Sequence, residues 1–207
     1  MNNRNWTILC WNIRGLNATE KHDVVRDKIE ESACSIICLQ ETKMQAIDMS
    51  LLRKFTPRRF DKFDFIPSVG ASGGIIMVWN SSIFSGVTLD KLVFGITIAF
   101  TSQHNLTTWK LTTVYGPCVE PGRSLFVDWL KGHQIDDDAN WLFVGDFNFY
   151  RSLEDRNKLG GNIQDTLTFN DLLGHLGLVE LPLKGHAFTW SNMQQDPLLE
   201  QLDWFFK

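Results

Sequence analysis

The sequence predicts an α/β or α+β sandwich built over one core, and three observations carry that expectation. Short apolar runs of strand length alternate with amphipathic stretches of helical period along the chain. The 207 residues are 43% hydrophobic and 21% charged, which suits a domain that buries a core without disulfide or metal staples. No low-complexity stretch, Pro/Ser-rich linker or internal repeat divides them, so a single domain over 1–207 is expected. The same composition excludes a disordered chain, a collagen-like repeat and a cysteine-stapled mini-protein.

In chain order, Thr7 to Trp11 (TILCW) reads as a buried strand. A helix follows over Glu20 to Ser32, where Val24, Val25, Lys28 and Ile29 recur at near-helical spacing. Ser35 to Leu39 (SIICL) is a second buried strand, and Gln45 to Arg53 a second helix. Gly73-Gly74 open the β-rich run IIMVW. Strand-like alternation continues in Gly86 to Leu92, Phe94 to Thr101 and Thr107 to Tyr115. Pro121 starts a helix carrying Leu125, Phe126, Trp129 and Leu130. Asp136-Asp137-Asp138 reads as a solvated acidic turn before the buried strand Trp141 to Val144. Thr166 to Leu176 is amphipathic and stops at Gly177. Late strands are expected at Phe188-Thr189-Trp190 and over Leu199 to Phe206.

Charge and cysteines narrow the partners. Lys plus Arg is 20 against 24 for Asp plus Glu, a formal −4. The basic excess of a duplex-coating protein is absent, so any action on nucleic acid needs a local site where a cation helps accept phosphate. Cys10, Cys34, Cys38 and Cys118 form no Cys-x-x-Cys pair, which suits buried, reduced thiols of an intracellular protein, nuclear or cytoplasmic. No apolar run reaches the roughly 18 residues of a membrane span, and the polar start Met1-Asn2-Asn3-Arg4-Asn5 does not read as a signal peptide. No membrane association and no stable protein partner are expected, and the chain reads as a monomer.

The informative polar residues sit where buried strands end, because layered α/β proteins collect active groups on the loops leaving strand ends. Four exits qualify: Trp11-Asn12, Leu39-Gln40-Glu41, Val114-Tyr115-Gly116-Pro117, and Val144-Gly145-Asp146-Phe147-Asn148. Each has an ordinary explanation by itself. Asn12 suits a turn, Glu41 a helix cap or salt bridge, Tyr115 a half-buried aromatic, and Asp146 with Asn148 an Asx turn. Together they have a chemical logic. Mg²⁺ wants oxygen ligands and keeps several waters, so one or two side chains suffice. Hydrolysis of a phosphate ester needs that cation, donors to the non-bridging oxygens and a group that orients water. Asn12 and Glu41 supply cation ligands, Tyr115 a phosphate donor, and Asp146 with Asn148 a hold on water and phosphate.

The ordered segments CWNIRGLN, ICLQETK, GGIIMVWN, TTVYGP, FVGDFN, AFTWSN and LDWFF resemble the endonuclease/exonuclease/phosphatase superfamily. Within it they are most similar to the apurinic-like endonuclease domain of plant LINE-type non-LTR retroelements. The resemblance runs from Trp6 to Phe206. It implies a four-layer α/β sandwich, two packed mixed sheets flanked by helices, and a DNA endonuclease that nicks with Mg²⁺, Mn²⁺ being the alternative cation. It assigns Asn12 to metal and phosphate positioning and Glu41 to the principal metal ligand. Tyr115 would bond the scissile phosphate, Asp146 activate or orient water, and Asn148 bind phosphate or water beside it. Asp203 matches the aspartate that orients a catalytic histidine in relatives. Arg14 and Thr189 are carried over as substrate-binding residues.

One departure stands out. These enzymes complete the site with a Ser-Asp-His segment beyond the LDxF strand, whereas this sequence ends at Lys207, four residues after Asp203, and contains no such triplet. None of His22, His104, His133, His175 and His186 follows the last strand, and His186 reads as a turn residue. The missing group is worth about 10²–10⁴-fold in rate. A C-terminally truncated domain is therefore expected, weakly active or inactive, marginally stable, and with an open sheet edge. Two other readings stay open: a phosphomonoesterase of the same fold, and an inactive retroelement remnant with at most weak nucleic-acid or metal binding. A duplex substrate calls for a basic rim, for which Arg14, Lys43, Arg151, Arg156 and Lys158 are the candidates. Most of the eight tryptophans are expected to pack the core rather than to form a stacking platform.

Overall fold

The computed structural model describes residues 6–70, 72–136 and 139–207. Of the expected acidic turn, Asp136 is exposed, while Asp137 and Asp138 lie outside the described residues. The chain is α/β, with sheets flanked by helices, and its Cα framework separates into two compact units, Met1–Val114 and Tyr115–Lys207.

In the first unit, β1 (Ile8–Asn12) lies parallel to β2 (Ile36–Gln40), and α1 (Glu20–Ser32) makes the crossover. β3 (Lys62–Val69) and β4 (Ser72–Trp79) complete a mixed sheet in the order β1-β2-β4-β3. β5 (Phe84–Leu92), β6 (Gly95–Ser102) and β7 (Thr108–Tyr115) follow as an antiparallel meander. The continuous apolar run of β2 is explained by burial on both faces. Ile37 and Leu39 pack with Val25 and Ile29 of α1 and with Leu52 and Phe55 of α2 (Met49–Phe55). On the opposite face of β2, Gln40 Nε2 donates to Thr113 Oγ1 on β7 at 2.8 Å, pinning one sheet to the other. The expected sandwich is thus present within this unit.

Two elements here differ from expectation. α2 starts at Met49 rather than Gln45, because the Asp48 carboxylate accepts the Leu51 amide at 2.8 Å and sets the cap. β3 has no counterpart among the expected strands, and it contains Pro67, a residue disfavoured inside a sheet. It is tolerated because β3 is a sheet edge, and the register to β4 passes from Ile66 to Ser68, leaving Pro67 unpaired.

In the second unit, α3 (Gly122–Lys131), β8 (Trp141–Asp146) and α4 (Ile163–Leu176) are joined by the β9–β10 ribbon (Trp190–Ser191, Leu199–Glu200) and β11 (Asp203–Phe206). Its core is aromatic. Phe149 stacks on Phe169 with centroids 5.2 Å apart, and Phe147 meets Phe206 edge-on at 5.3 Å. α4 begins three residues before Thr166, capped by Asn162, whose side chain accepts the Gln164 amide. The late strands are shorter than expected: Trp190–Ser191 replaces 188–190, and the run 199–206 breaks at Gln201-Leu202.

The expected open edge is not found at β11. Its outer side is bonded by the segment Val179–Leu181, through Val179 N–H to Lys207 O (2.8 Å), Lys207 N–H to Val179 O (2.9 Å) and Leu181 N–H to Phe205 O (2.8 Å). Arg151 holds this segment by pairing with Glu180. The cysteine expectation holds for Cys34 and Cys38, which are buried, with burial pushing both thiols up from their ordinary pKa. Cys10 is half-buried, and Cys118 is exposed because it lies in the turn before α3.

Candidate active site

Two clusters of predicted residues form, one in each unit. In the first, parallel pairing places Asn12 directly beside Gln40 at the carboxyl ends of β1 and β2, so Glu41 leaves the sheet next to Asn12. The loops there are laced by backbone bonds: Ile13 N–H to Gln40 O (3.0 Å), Gly15 N–H to Glu41 O (2.7 Å) and Leu16 N–H to Thr42 O (2.8 Å). The 73–74 turn joins them through Thr42 N–H to Gly74 O and Lys43 N–H to Gly73 O, both 3.0 Å. A Cβ on Gly74 would strike Thr42 Oγ1, which is why a glycine stands there. This lacing holds Arg14, Glu41 and Lys43 at φ of 52°, 53° and 57°, strained values for such side chains and characteristic of functional loops.

The Asn12 Oδ1 accepts the Arg14 amide at 3.2 Å. Glu41 Oε1 lies 3.1 Å from the Lys43 ammonium, both side chains reaching solvent. Beneath them, the Lys21 ammonium donates to three successive carbonyls, Ile13 (3.1 Å), Arg14 (3.2 Å) and Gly15 (3.0 Å). Lys21 was not anticipated from the sequence.

In the second unit, Asp146 ends β8 and Asp203 begins β11, and the two are direct register partners. Opposed residues of an antiparallel pair share a face with Cβ atoms about 5 Å apart, so the two carboxyl groups emerge side by side. Asp146 is only 3% exposed, and its Oδ1 accepts the Asn148 amide at 3.0 Å. Asn148 adopts φ of 53°, and its Nδ2 donates to Gly116 O at 2.6 Å. Gly116 N–H in turn donates to Asp146 O at 2.7 Å, which ties the half-buried Tyr115 turn to the Asp146–Asn148 turn. The fit is close: a Cβ on Gly116 would strike the Phe147 carbonyl.

Thr189 has a structural task here. Its Oγ1 accepts both the Leu202 and Asp203 amides at 3.1 Å, fixing the start of β11. Phe147 N–H to Leu202 O (2.9 Å) and Trp204 Nε1 to Phe149 O (2.8 Å) anchor the same corner.

The expected basic rim is largely spent on ion pairs. Arg151 pairs with Glu180, Arg156 with Glu200 at 3.0 Å, and Lys158 with Asp196 at 2.6 Å. His186 is exposed, in the irregular segment before β9. Among the described residues no group of three or more His, Cys, Asp or Glu side chains forms a metal cage. Glu41 with Asn12 is a carboxylate and an amide, a donor set of hard oxygens that fits a cation retaining most of its waters.

The profile of the Endonuclease/Exonuclease/phosphatase family matches residues 9–203. Among solved structures, the chain is similar to the AP endonuclease LMAP from Leishmania major, with a TM-score of 0.69 at 15% identity over 97% of this chain and 78% of that one. It is similar to the endonuclease domain of TRAS1, a telomere-specific non-LTR retrotransposon, with a TM-score of 0.67 at 13% identity over 98% and 84%. D. rerio TDP2, complexed with a single-strand DNA product, gives 0.62 at 16% over 97% and 82%.

Proposed function

Because the chain belongs to the endonuclease/exonuclease/phosphatase family, we propose that it hydrolyses phosphodiester bonds in DNA, nicking one strand with the help of Mg²⁺ or, alternatively, Mn²⁺. Glu41 and Asn12 hold the cation, which neutralises charge on the phosphate when bound. Tyr115 donates its hydroxyl to a non-bridging oxygen. Asp146 orients the attacking water and takes up its proton, and the Asn148 amide binds phosphate or water beside it. Arg14 contacts the substrate backbone, whereas Thr189 acts through the start of β11. The observation that carries this reading is the Asp146–Asp203 register pair next to the locked Asn148 turn. Like charges directly opposed cost stability in a sheet, and such an arrangement is retained where the carboxylates are used.

The DNA-processing relatives support a nucleic-acid substrate, and the likeness to the TRAS1 domain supports a retroelement origin. The 207 residues contain no Ser-Asp-His triplet. The chain works as a monomer, without a membrane.

The test is relaxation of supercoiled plasmid by the purified 207-residue protein, with Mg²⁺ and with EDTA. Slow nicking in Mg²⁺ that Glu41→Ala abolishes supports the proposal. Retarded DNA in a gel shift without nicking favours the remnant. Hydrolysis of p-nitrophenyl phosphate with intact plasmid favours a phosphomonoesterase.

A further inference from the structure

A cation in the first turn of a helix opposes the helix dipole, so Arg123, the second residue of α3, needs a reason to be there. Its side chain is only 13% exposed, with both terminal nitrogens partnered and Nε buried without a hydrogen-bond partner. Nη2 pairs with Asp165 Oδ2 on α4 at 3.0 Å, and the guanidinium carbon lies 3.8 Å above the centre of the Phe149 ring. Nη1 donates to the backbone carbonyl of Asn148 at 2.9 Å. Burial of this charge is made affordable by its partner and its carbonyl acceptor.

Asn148 is thereby held at three points. Its amide goes to Asp146, its Nδ2 to Gly116 O, and its carbonyl receives Arg123. The first bond belongs to the turn itself, and the second ties it to the neighbouring Tyr115-Gly116 turn. The third is the one made by a charged side chain, and its loss would leave a part-buried carbonyl without that donor, free to rotate the peptide between Asn148 and Phe149. The same guanidinium presses on the Phe149 ring, so two successive residues take their orientation from one side chain.

We propose that Arg123, locked by Asp165, is a positioning residue that aims the Asn148 amide at the scissile phosphate or the attacking water. It touches neither itself. The inference rests on the proposed role of Asn148, and the geometry of a displaced side chain of this kind typically costs about 10²-fold in rate for a 1 Å error.

The test is a double-mutant cycle on Mg²⁺-dependent plasmid nicking with Arg123→Gln, Asn148→Ala and the double variant, alongside ¹⁵N NMR of the Asn148 backbone and side-chain amides. Arg123→Gln is expected to lower the nicking plateau about tenfold or more, with the double variant no slower than Asn148→Ala. The Asn148 amide signals are expected to move in Arg123→Gln and to return part of the way in Arg123→Lys. If Arg123→Gln fails to fold, Arg123→Lys and Asp165→Asn carry the same cycle. Losses that multiply in the double variant, or Asn148 signals that stay in place, overturn the positioning inference. Full nicking by Asn148→Ala defeats instead the role of Asn148 on which it rests.

Discussion

The two candidate clusters solve the same problem differently. At the ends of β1 and β2, position comes from backbone: loops lace through main-chain bonds, with Arg14, Glu41 and Lys43 held at positive φ and the side chains left near solvent. At Asp146, Asn148 and Asp203, position comes from side chains and aromatic packing, and the leading carboxylate is buried. The contrast suits two tasks. On the proposed reading, a partly exposed carboxylate paired with an ammonium near solvent can give up that partner for a cation. On the same reading, a buried carboxylate with a fixed amide beside it suits holding water or phosphate in one orientation.

They also share a device. Lys21 and Arg123 each occupy the second position of a helix, against the dipole, and each donates to carbonyls of the loop that carries the candidate residues. A basic residue in a helical first turn was the available sequence signal for both.

Five variants or conditions sharpen the contrast, from losses of activity to shifts in stability. Glu41→Ala and Asp146→Asn should each lower nicking by about 10²-fold or more. They should differ in stability. Asp146→Asn removes one of two opposed charges while leaving an acceptor for the Asn148 amide, so its melting temperature should rise, by about 0.2–1 kcal/mol of stability. A fall would show that the two carboxylates are not in conflict. Gly116→Ala should destabilise the protein by about 1–3 kcal/mol in urea unfolding, through collision with the Phe147 carbonyl. An unchanged midpoint would mean that the Tyr115 turn yields freely.

Lys21→Met should cost about 1.5–3 kcal/mol, because it removes a charged donor from three carbonyls. Amide exchange should quicken over 13–17 and not over 146–149. Uniform quickening would contradict a local role. Acid should act last, and in the first unit. At Asp61 burial opposes ionisation, but the Ser81 hydroxyl and amide outweigh it and hold the carboxyl below its usual range. At Asp64 partial burial is outweighed by Lys91 and Thr88. Groups with depressed folded pKa values stabilise above their unfolded pKa, so this contribution is intact above about pH 4 and is lost as pH falls below it. Asp61→Asn should flatten the acid limb of the melting curve, and an unaltered limb would remove Asp61 from the account.

Legibility followed burial. β1, β2 and β8 stood out as apolar runs, and the polar residues at their ends fell where the structure places them. The start of α2 moved because Asp48 caps it, and that of α4 because Asn162 does. A periodicity reading cannot see either cap until it chooses among several polar residues. β3 is absent from the expected strands, and its Pro67 is of a kind that a sheet accepts at an edge. Gln40 looked like part of a polar exit, yet it faces the second sheet and bonds Thr113. For Thr189, carried over as substrate-binding, the structure adds that its hydroxyl secures the start of β11. The rim arginines could not be told from structural ones, since ion pairs such as Arg156–Glu200 join residues far apart in sequence. The cover that Val179–Leu181 gives β11 was equally long-range, and with it the argument for a fragile open edge falls away.

The division of labour is tested most directly by the Mg²⁺ dependence of plasmid nicking. Glu41→Gln should raise the half-saturating Mg²⁺ concentration about tenfold or more, as removal of a charged ligand demands. Asn148→Ala should lower the plateau with the Mg²⁺ midpoint unchanged. A midpoint that shifts with Asn148→Ala and not with Glu41→Gln, or nicking that persists in EDTA, would contradict the account.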